Sequence, residues 1–125
     1  MTVTETRKVA AGGSFLIVDS QPDAVFTLED LSEEQRQIAR VAEEFSQKEI
    51  VPASAQIEAK QFDVTRRLLR QAGDLGLMSV DVPEEFNGLE MDKVTSALIA
   101  DRIGGCASFS VAFSAHVGIG TLPIV

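Results

Sequence analysis

The 125-residue sequence predicts an all-α domain of four to five helices. Three observations support this prediction. Apolar residues recur at helical spacing in three separate stretches, no stretch shows the two-residue alternation of a half-buried strand, and no hairpin turn joins two apolar runs. A chain of this length can bury one core and is too short for two domains.

A flexible N-terminal arm is predicted over residues 1–24, ahead of a helical domain over residues 25–125. Residues 10–14 are small and Gly-rich, and residues 15–18 form an apolar run, Phe-Leu-Ile-Val. Four residues are too few to fold alone, but they can dock on a core. Pro22-Asp23 is a turn signal that separates this run from the domain.

The first helix is predicted to begin at Ser32, because Ser32 and Gln35 fit a capping box. The apolar residues that follow share one helical face: Ile38, Val41, Ala42 and Phe45. Pro52 predicts a kink or break, after which residues 55–59 continue for a further turn or two.

A second helix is predicted after Asp63, whose side chain is suited to cap it. Its buried stripe consists of Leu68, Leu69, Ala72 and Leu75, and Gly76 is placed to end it in a left-handed conformation. Residues 80–89 are predicted to form a loop.

Asp92 is predicted to cap a third helix. This helix is expected to end at Gly104-Gly105, and its predicted buried residues are Val94, Ala97, Leu98 and Ile103.

The last twenty residues, 106–125, contain no formal charge. This length permits a transmembrane interpretation, but eight of the twenty are poorly suited to lipid and no Trp or Tyr anchors the ends. A helix buried in a larger soluble protein is favoured. Ser110, Ser114 and Gly118 lie four apart and predict a strip of small residues that a backbone or a flat ligand chain can approach.

Composition excludes several functions. A net charge of −8 has the wrong sign for nucleic-acid binding. The single cysteine, Cys106, excludes an internal disulfide and favours a reducing, cytoplasmic location; it is interpreted as a small buried hydrophobe. One His and one Cys exclude a Cys/His zinc site within this chain, so no metal ligands are assigned. Arg66, Arg67 and Arg70 are interpreted as a solvated helix face.

No set of residues in the chain performs recognisable chemistry. His116 lies among serines without a Gly-x-Ser-x-Gly sequence, and is interpreted as a hydrogen-bonded core histidine. Gly118-x-Gly120 is not a dinucleotide fingerprint, because no strand precedes it. The uncharged last helix and the apolar residues 122–125 predict a chain that is part of something larger. From the residues alone, the function stays open.

Four stretches, in this order, resemble acyl-CoA dehydrogenases, especially bacterial long-chain members. Residues 31–35 and 49–52 are similar to the family's first helix, and residues 62–77 to its leucine-rich helix followed by Gly-Leu. Residues 82–89, Val-Pro-Glu-Glu-Phe-Asn-Gly-Leu, resemble a Pro-Glu-Glu-aromatic-Gly-Gly loop. Residues 115–123 look like the helix along the acyl chain. Asn87 departs from the usual Gly, but Asn also tolerates a left-handed backbone.

The resemblance implies a three-part subunit that oxidises fatty acyl-CoA to trans-2-enoyl-CoA in fatty acid β-oxidation. FAD would lie mainly between the other two domains and a neighbouring subunit, and a glutamate after Val125 would act as base. Electrons would pass to an electron-transferring flavoprotein, and the enzyme would be a homo-oligomer. No catalytic or cofactor-binding residue is therefore assigned here, and the fragment is expected to be inactive alone.

The same resemblance implies that Ala112, Ala115 and Ile119 form part of the acyl-pocket wall, with His116 as a neighbouring candidate. The alternative is that these alanines only pack against other helices. Two further alternatives stay open for the whole chain: a stand-alone helical interaction or oligomerisation module, and the N-terminal domain of an acyl-CoA oxidase-like flavoprotein.

Overall fold

The computed structural model describes residues 9–10 and 12–125. The chain divides into two compact units, Met1–Ser32 and Glu33–Val125. Across the described residues all regular structure is helical and no strand is present. Five α-helices form the second unit, and these confirm the predicted all-α class.

Over residues 9–10 and 12–32, the first unit has three single-turn 3-10 helices, Ser14–Leu16, Pro22–Ala24 and Leu28–Asp30. The amide of Ala10 donates to the carbonyl of Ala24 at 2.7 Å. At the start of the third turn, the Asp30 carboxylate accepts from the amide of Thr27 at 2.8 Å. The predicted division between arm and domain at residue 24 stays a prediction.

Helix α1 spans Glu33–Phe45 and continues through a π-helical turn, Ser46–Ile50, into α2, Val51–Glu58. The helix begins directly after Ser32, the residue predicted to cap it. Pro52 was expected to kink or break the chain, yet the helical path continues through it. A proline lacks the N–H donor and its ring crowds the carbonyl four residues earlier. The π turn Ser46–Ile50 lies just before Pro52, and it interrupts the regular α-helical hydrogen bonding there without breaking the helix.

Helix α3 spans Phe62–Asp74, so the prediction that Asp63 caps it was wrong. Asp63 lies inside the first turn, where its carboxylate accepts from Arg66 Nη1 at 2.7 Å. Leu68 and Ala72 are buried as predicted, but Leu75 is half exposed, because the helix ends beside it. Gly76 then adopts a φ of +76°, the predicted left-handed conformation.

Helix α4 spans Lys93–Ile103, and α5 spans Ala107–Ser114 and continues as a π helix over Ala115–Thr121. Asp92 caps α4 as predicted, since its side chain accepts from the amide of Thr95. Leu98 and Ile103 are buried, whereas Ala97 is exposed, contrary to its predicted burial.

The core of the second unit lies between α1, α4 and α5, with α2 packed on α3 and α5. Phe45 and Phe109 meet edge to face with ring centroids 6.3 Å apart, and Phe109 lies 6.4 Å from Phe113. Cys106 is buried, as expected of a small hydrophobe. In the described part of the chain, every helix is too short or too polar to cross a bilayer.

Candidate functional site

Helix α5 and its π-helical continuation present two different faces. The inner face consists of Phe109, Phe113 and Val117, each four residues from the next and each buried. Four-residue spacing places side chains on one side of a helix. These three residues fix the segment to the core and leave its opposite side uncovered within this unit.

The outer face contains two of the four residues predicted to line an acyl chain. Ala115 and Ile119 are exposed, Ile119 to 81%, while Ala112 is half-buried. Val111 lies four residues before Ala115 and is 69% exposed. Val111 shares this exposed side with Ala115 and Ile119, because residues four apart lie on one side of a helix. We call Val111, Ala115 and Ile119 the outer face.

His116 does not lie in the core. It is exposed, so its interpretation as a hydrogen-bonded core histidine was wrong. Val117, the next residue, occupies the inward position, and adjacent residues on a helix point in different directions. The backbone carbonyl of His116 accepts a hydrogen bond from Thr121 Oγ1 at 2.9 Å, which satisfies one carbonyl in the π helix.

The helix backbone is accessible beside the outer face. A Cβ atom added to Gly118 would meet no other atom within 4 Å. Ser114 is exposed, and Ser110 and Gly118 are half-buried. A helical glycine costs up to about 1 kcal/mol relative to alanine. Nothing within this unit uses the space that Gly118 leaves free.

The start of α4 is tied to α1 by one carboxylate. Asp92 Oδ1 accepts from the amide and hydroxyl of Thr95 at 2.9 and 2.8 Å, and Asp92 Oδ2 accepts from Gln35 Nε2 at 3.0 Å. The Thr95 amide, followed by the Thr95 and Gln35 side chains, lowers the pKa of Asp92 below its usual range. These bonds position the helix that leads through Gly104-Gly105 into the outer face.

The loop between α3 and α4 has a backbone that tolerates few substitutions. A Cβ at Gly88 would lie 1.8 Å from the carbonyl oxygen of Val82, so only glycine fits. Asn87 has φ +60° and ψ +30°, which confirms that asparagine supports the left-handed turn. The Glu90 carboxylate accepts from the amide of Glu84 at 3.1 Å and closes the loop.

An open groove of about 800 Å³ lies between α1, the π turn that follows it and α3. Its apolar lining includes Val41, Phe45 and Leu75. The rim is charged; Lys48 donates to Glu44 at 2.8 Å and thereby lowers the pKa of that carboxyl. Within the described residues no three His, Cys, Asp or Glu side chains form a metal site.

The N-terminal domain model of the acyl-CoA dehydrogenases matches residues 32–125, three quarters of the chain. The chain belongs to the acyl-CoA dehydrogenase family. A probable acyl-CoA dehydrogenase of Bacillus subtilis is 46% identical over 117 residues, which are 94% of this chain and 20% of that protein. The short-chain specific acyl-CoA dehydrogenase of pig mitochondria is 32% identical over 93 residues, 74% of this chain and 22% of that protein.

Among solved structures, the acyl-CoA dehydrogenase of Bacillus anthracis, crystallised with FAD, superposes with a TM-score of 0.84 at 48% identity. The match covers 91% of this chain and 20% of that chain. The chain thus spans about a fifth of the length of these acyl-CoA dehydrogenases. It corresponds to their helical N-terminal domain.

Proposed function

We propose that this chain is the N-terminal part of an FAD-dependent acyl-CoA dehydrogenase that oxidises fatty acyl-CoA to trans-2-enoyl-CoA in β-oxidation. Family membership supports the reaction class, and the outer face supports a role beside the acyl chain. Its side chains, Val111, Ala115 and Ile119, are apolar and exposed in this unit. An apolar face of this kind gains stability when a hydrocarbon chain covers it.

The outer face also leaves room for a long acyl chain. The small side chain of Ala115 leaves room at the middle of the face, where a bulky residue would shorten the pocket; Ala112, half-buried beside it, is also small. Ile119 and Val111 extend the apolar surface on either side along the helix. Their eight-residue separation corresponds to at most about 12 Å along the helix axis, because its second half is π-helical and rises less per residue, and several methylene groups can lie along that length.

FAD and the catalytic base belong, in this proposal, to the remaining domains. The outer face has no charged side chain to bind a pyrophosphate, and the chain has no Gly-x-Gly-x-x-Gly fingerprint. FAD would accept the hydride elsewhere in the enzyme and pass electrons to an electron-transferring flavoprotein. The 125-residue chain alone is expected to lack flavin absorbance and activity. Homo-oligomerisation and a cytoplasmic location complete the proposal.

The decisive experiment replaces Ala115 with phenylalanine in the full-length enzyme. If Ala115 lines the pocket, kcat/KM for palmitoyl-CoA should fall about 10- to 100-fold, while butyryl-CoA should change about twofold or less. Ala55→Phe is the matched control, because Ala55 is an exposed alanine on α2. An equal loss for both substrates, or no loss, would remove Ala115 from the wall.

The same assay separates a dehydrogenase from an oxidase-like flavoprotein. With oxygen as sole acceptor, a dehydrogenase should turn over far more slowly than with a flavoprotein acceptor. Equal rates with the two acceptors would contradict the proposed acceptor and leave the acyl-wall assignment untouched.

A further inference from the structure

The hydroxyl of Thr121 forms a bond that fits only the wider turn of the helix bearing the outer face. Thr121 Oγ1 donates to the backbone carbonyl of His116, five residues earlier, at 2.9 Å. In an α-helix, a serine or threonine hydroxyl reaches the carbonyl three or four residues earlier. A bond that spans five residues matches the π helix, whose backbone bonds also span five. We call the π-helical conformation of residues 115–121 the π winding.

A serine elsewhere in the same unit shows the α-helical pattern. Ser54 lies on α2, and its Oγ donates to the carbonyl of Val51 at 2.8 Å and lies 3.3 Å from that of Ile50. These carbonyls are three and four residues earlier. The hydroxyls of Ser54 and Thr121 both return to their own helix, so the difference in their reach follows the winding of the backbone.

The remaining residues of Ala115–Thr121 determine its winding only weakly. Two of its seven residues, Gly118 and Gly120, are glycines, which have low helix propensity. Val117 is the one residue of the segment that is buried. A single buried side chain fixes the segment to the core but does not determine how the residues after it are wound. The hydroxyl bond of Thr121 supplies a constraint at the far end.

The winding of this segment decides where Ile119 faces. Ala115 and Ile119 are four residues apart, and both are exposed. A π turn takes up about one residue more than an α turn, so four residues complete more than one α turn but less than one π turn. The direction of Ile119 relative to Ala115 therefore differs between the two windings.

We propose that Thr121 is a positioning residue for the acyl chain, because its hydroxyl holds the π winding and thereby sets the direction of Ile119. This role rests on the proposed function, since it requires the outer face to line the acyl chain. Thr121 acts through Ile119 and does not itself contact the substrate. Without the hydroxyl, the segment relaxes toward α-helical winding and Ile119 turns away from the hydrocarbon.

Thr121→Val in the full-length enzyme removes the hydroxyl and keeps the shape of the side chain. KM for palmitoyl-CoA should rise about three- to tenfold, the equivalent of one net hydrogen bond, while kcat changes about twofold or less. KM for butyryl-CoA should change little, because a short chain covers less of the outer face. Thr121→Ser keeps the hydroxyl and should retain the wild-type values. Ser54→Ala, which removes the hydroxyl on α2, is the matched control and should leave both KM values unchanged.

A double substitution separates positioning from a general loss of structure. In an Ile119→Ala enzyme, Thr121→Val should have no further effect on KM for palmitoyl-CoA, because the side chain that Thr121 positions is absent. Additive effects of the two substitutions would overturn the proposal. The same holds for an unchanged KM in Thr121→Val, for an equal rise with both substrates, and for a Thr121→Ser enzyme that behaves like Thr121→Val.

Hydrogen exchange in the full-length enzyme measures the winding without the reaction. Thr121→Val should speed amide exchange within residues 115–121 several-fold, and Thr121→Ser should not. Unchanged exchange in Thr121→Val would contradict the role of the hydroxyl and leave the acyl wall, tested by Ala115→Phe, unaffected. Faster exchange combined with no effect of Ala115→Phe on chain-length preference would instead overturn the acyl wall, and the positioning role with it.

Discussion

The inner and outer faces of α5 and its π-helical continuation have similar apolar residues but opposite surroundings. Phe109, Phe113 and Val117 are buried against the rest of the unit, whereas Val111 and Ile119 are exposed. Composition therefore does not distinguish the faces; helical position does. The inner face contributes to folding stability within this unit, and the outer face is available to a ligand or another part of the enzyme.

The largest expected effect is on the inner face. Phe109→Ala should lower the free energy of unfolding by about 3–5 kcal/mol, because it empties a fully buried site between two other phenylalanine rings. Urea denaturation of the 125-residue chain would measure it. Ile119→Ala on the outer face is the control and should change stability by about 0.5 kcal/mol or less. Equal losses would contradict the distinction between the faces.

A smaller effect is expected where α4 begins. Asp92→Ala should cost about 1 kcal/mol, with a range of about 0.5–2, because it removes the cap and the Gln35 contact. The pKa of Asp92 is lowered on folding, so its contribution is present above the ordinary value of 3.8 and is lost as the pH falls through the folded-state pKa. Urea denaturation of wild type and Asp92→Ala at several pH values would measure how this contribution changes with pH.

The pH series should show the difference between wild type and Asp92→Ala shrinking as the pH falls from about 5 to below 3.8. Asp74→Ala provides a comparison, since Asp74 is an exposed carboxylate at the end of α3. A difference that stays constant across this range would show that the charge of Asp92 does not carry the effect.

The smallest expected change in stability is at Gly118, beside the outer face. Gly118→Ala should stabilise the 125-residue chain by about 0.5–1 kcal/mol, because the added methyl group meets no atom and alanine favours the helix. In the full-length enzyme the same change should weaken long-chain activity if a chain approaches there. Gly88→Ala, which forces a clash with Val82, should strongly destabilise the same chain. Destabilisation by Gly118→Ala would show that its space is used internally.

Much of the fold followed from local patterns in the sequence. The caps and breaks at Asp92, Gly76 and Asn87 were predicted, since each depends on the conformational preference of one residue and its near neighbours. The all-α class followed from apolar spacing. These features require no knowledge of which elements pack together.

The wrong predictions concern which side of each helix is buried, where a helix begins, and which turns are π-helical. Leu75, Ala97 and His116 were expected to be buried and are exposed, because only the packing of other helices decides which side of a helix is covered. Asp63 caps nothing, since α3 begins one residue earlier. An irregularity near Pro52 was expected, but neither π-helical segment was predicted, because apolar spacing does not distinguish a π turn from an α turn. The acyl-wall assignment stays a prediction; the outward facing of Ala115 and Ile119 is consistent with it.

The π helix over Ala115–Thr121 makes the count of residues as important as their identity. One residue corresponds to about 100° of rotation in an α-helix. Deleting a single α-helical residue before Ala115 would turn the following side chains by about that angle and carry Ile119 away from the outer side. A protein engineer who wishes to reshape this surface should therefore substitute residues and keep the length of the segment unchanged.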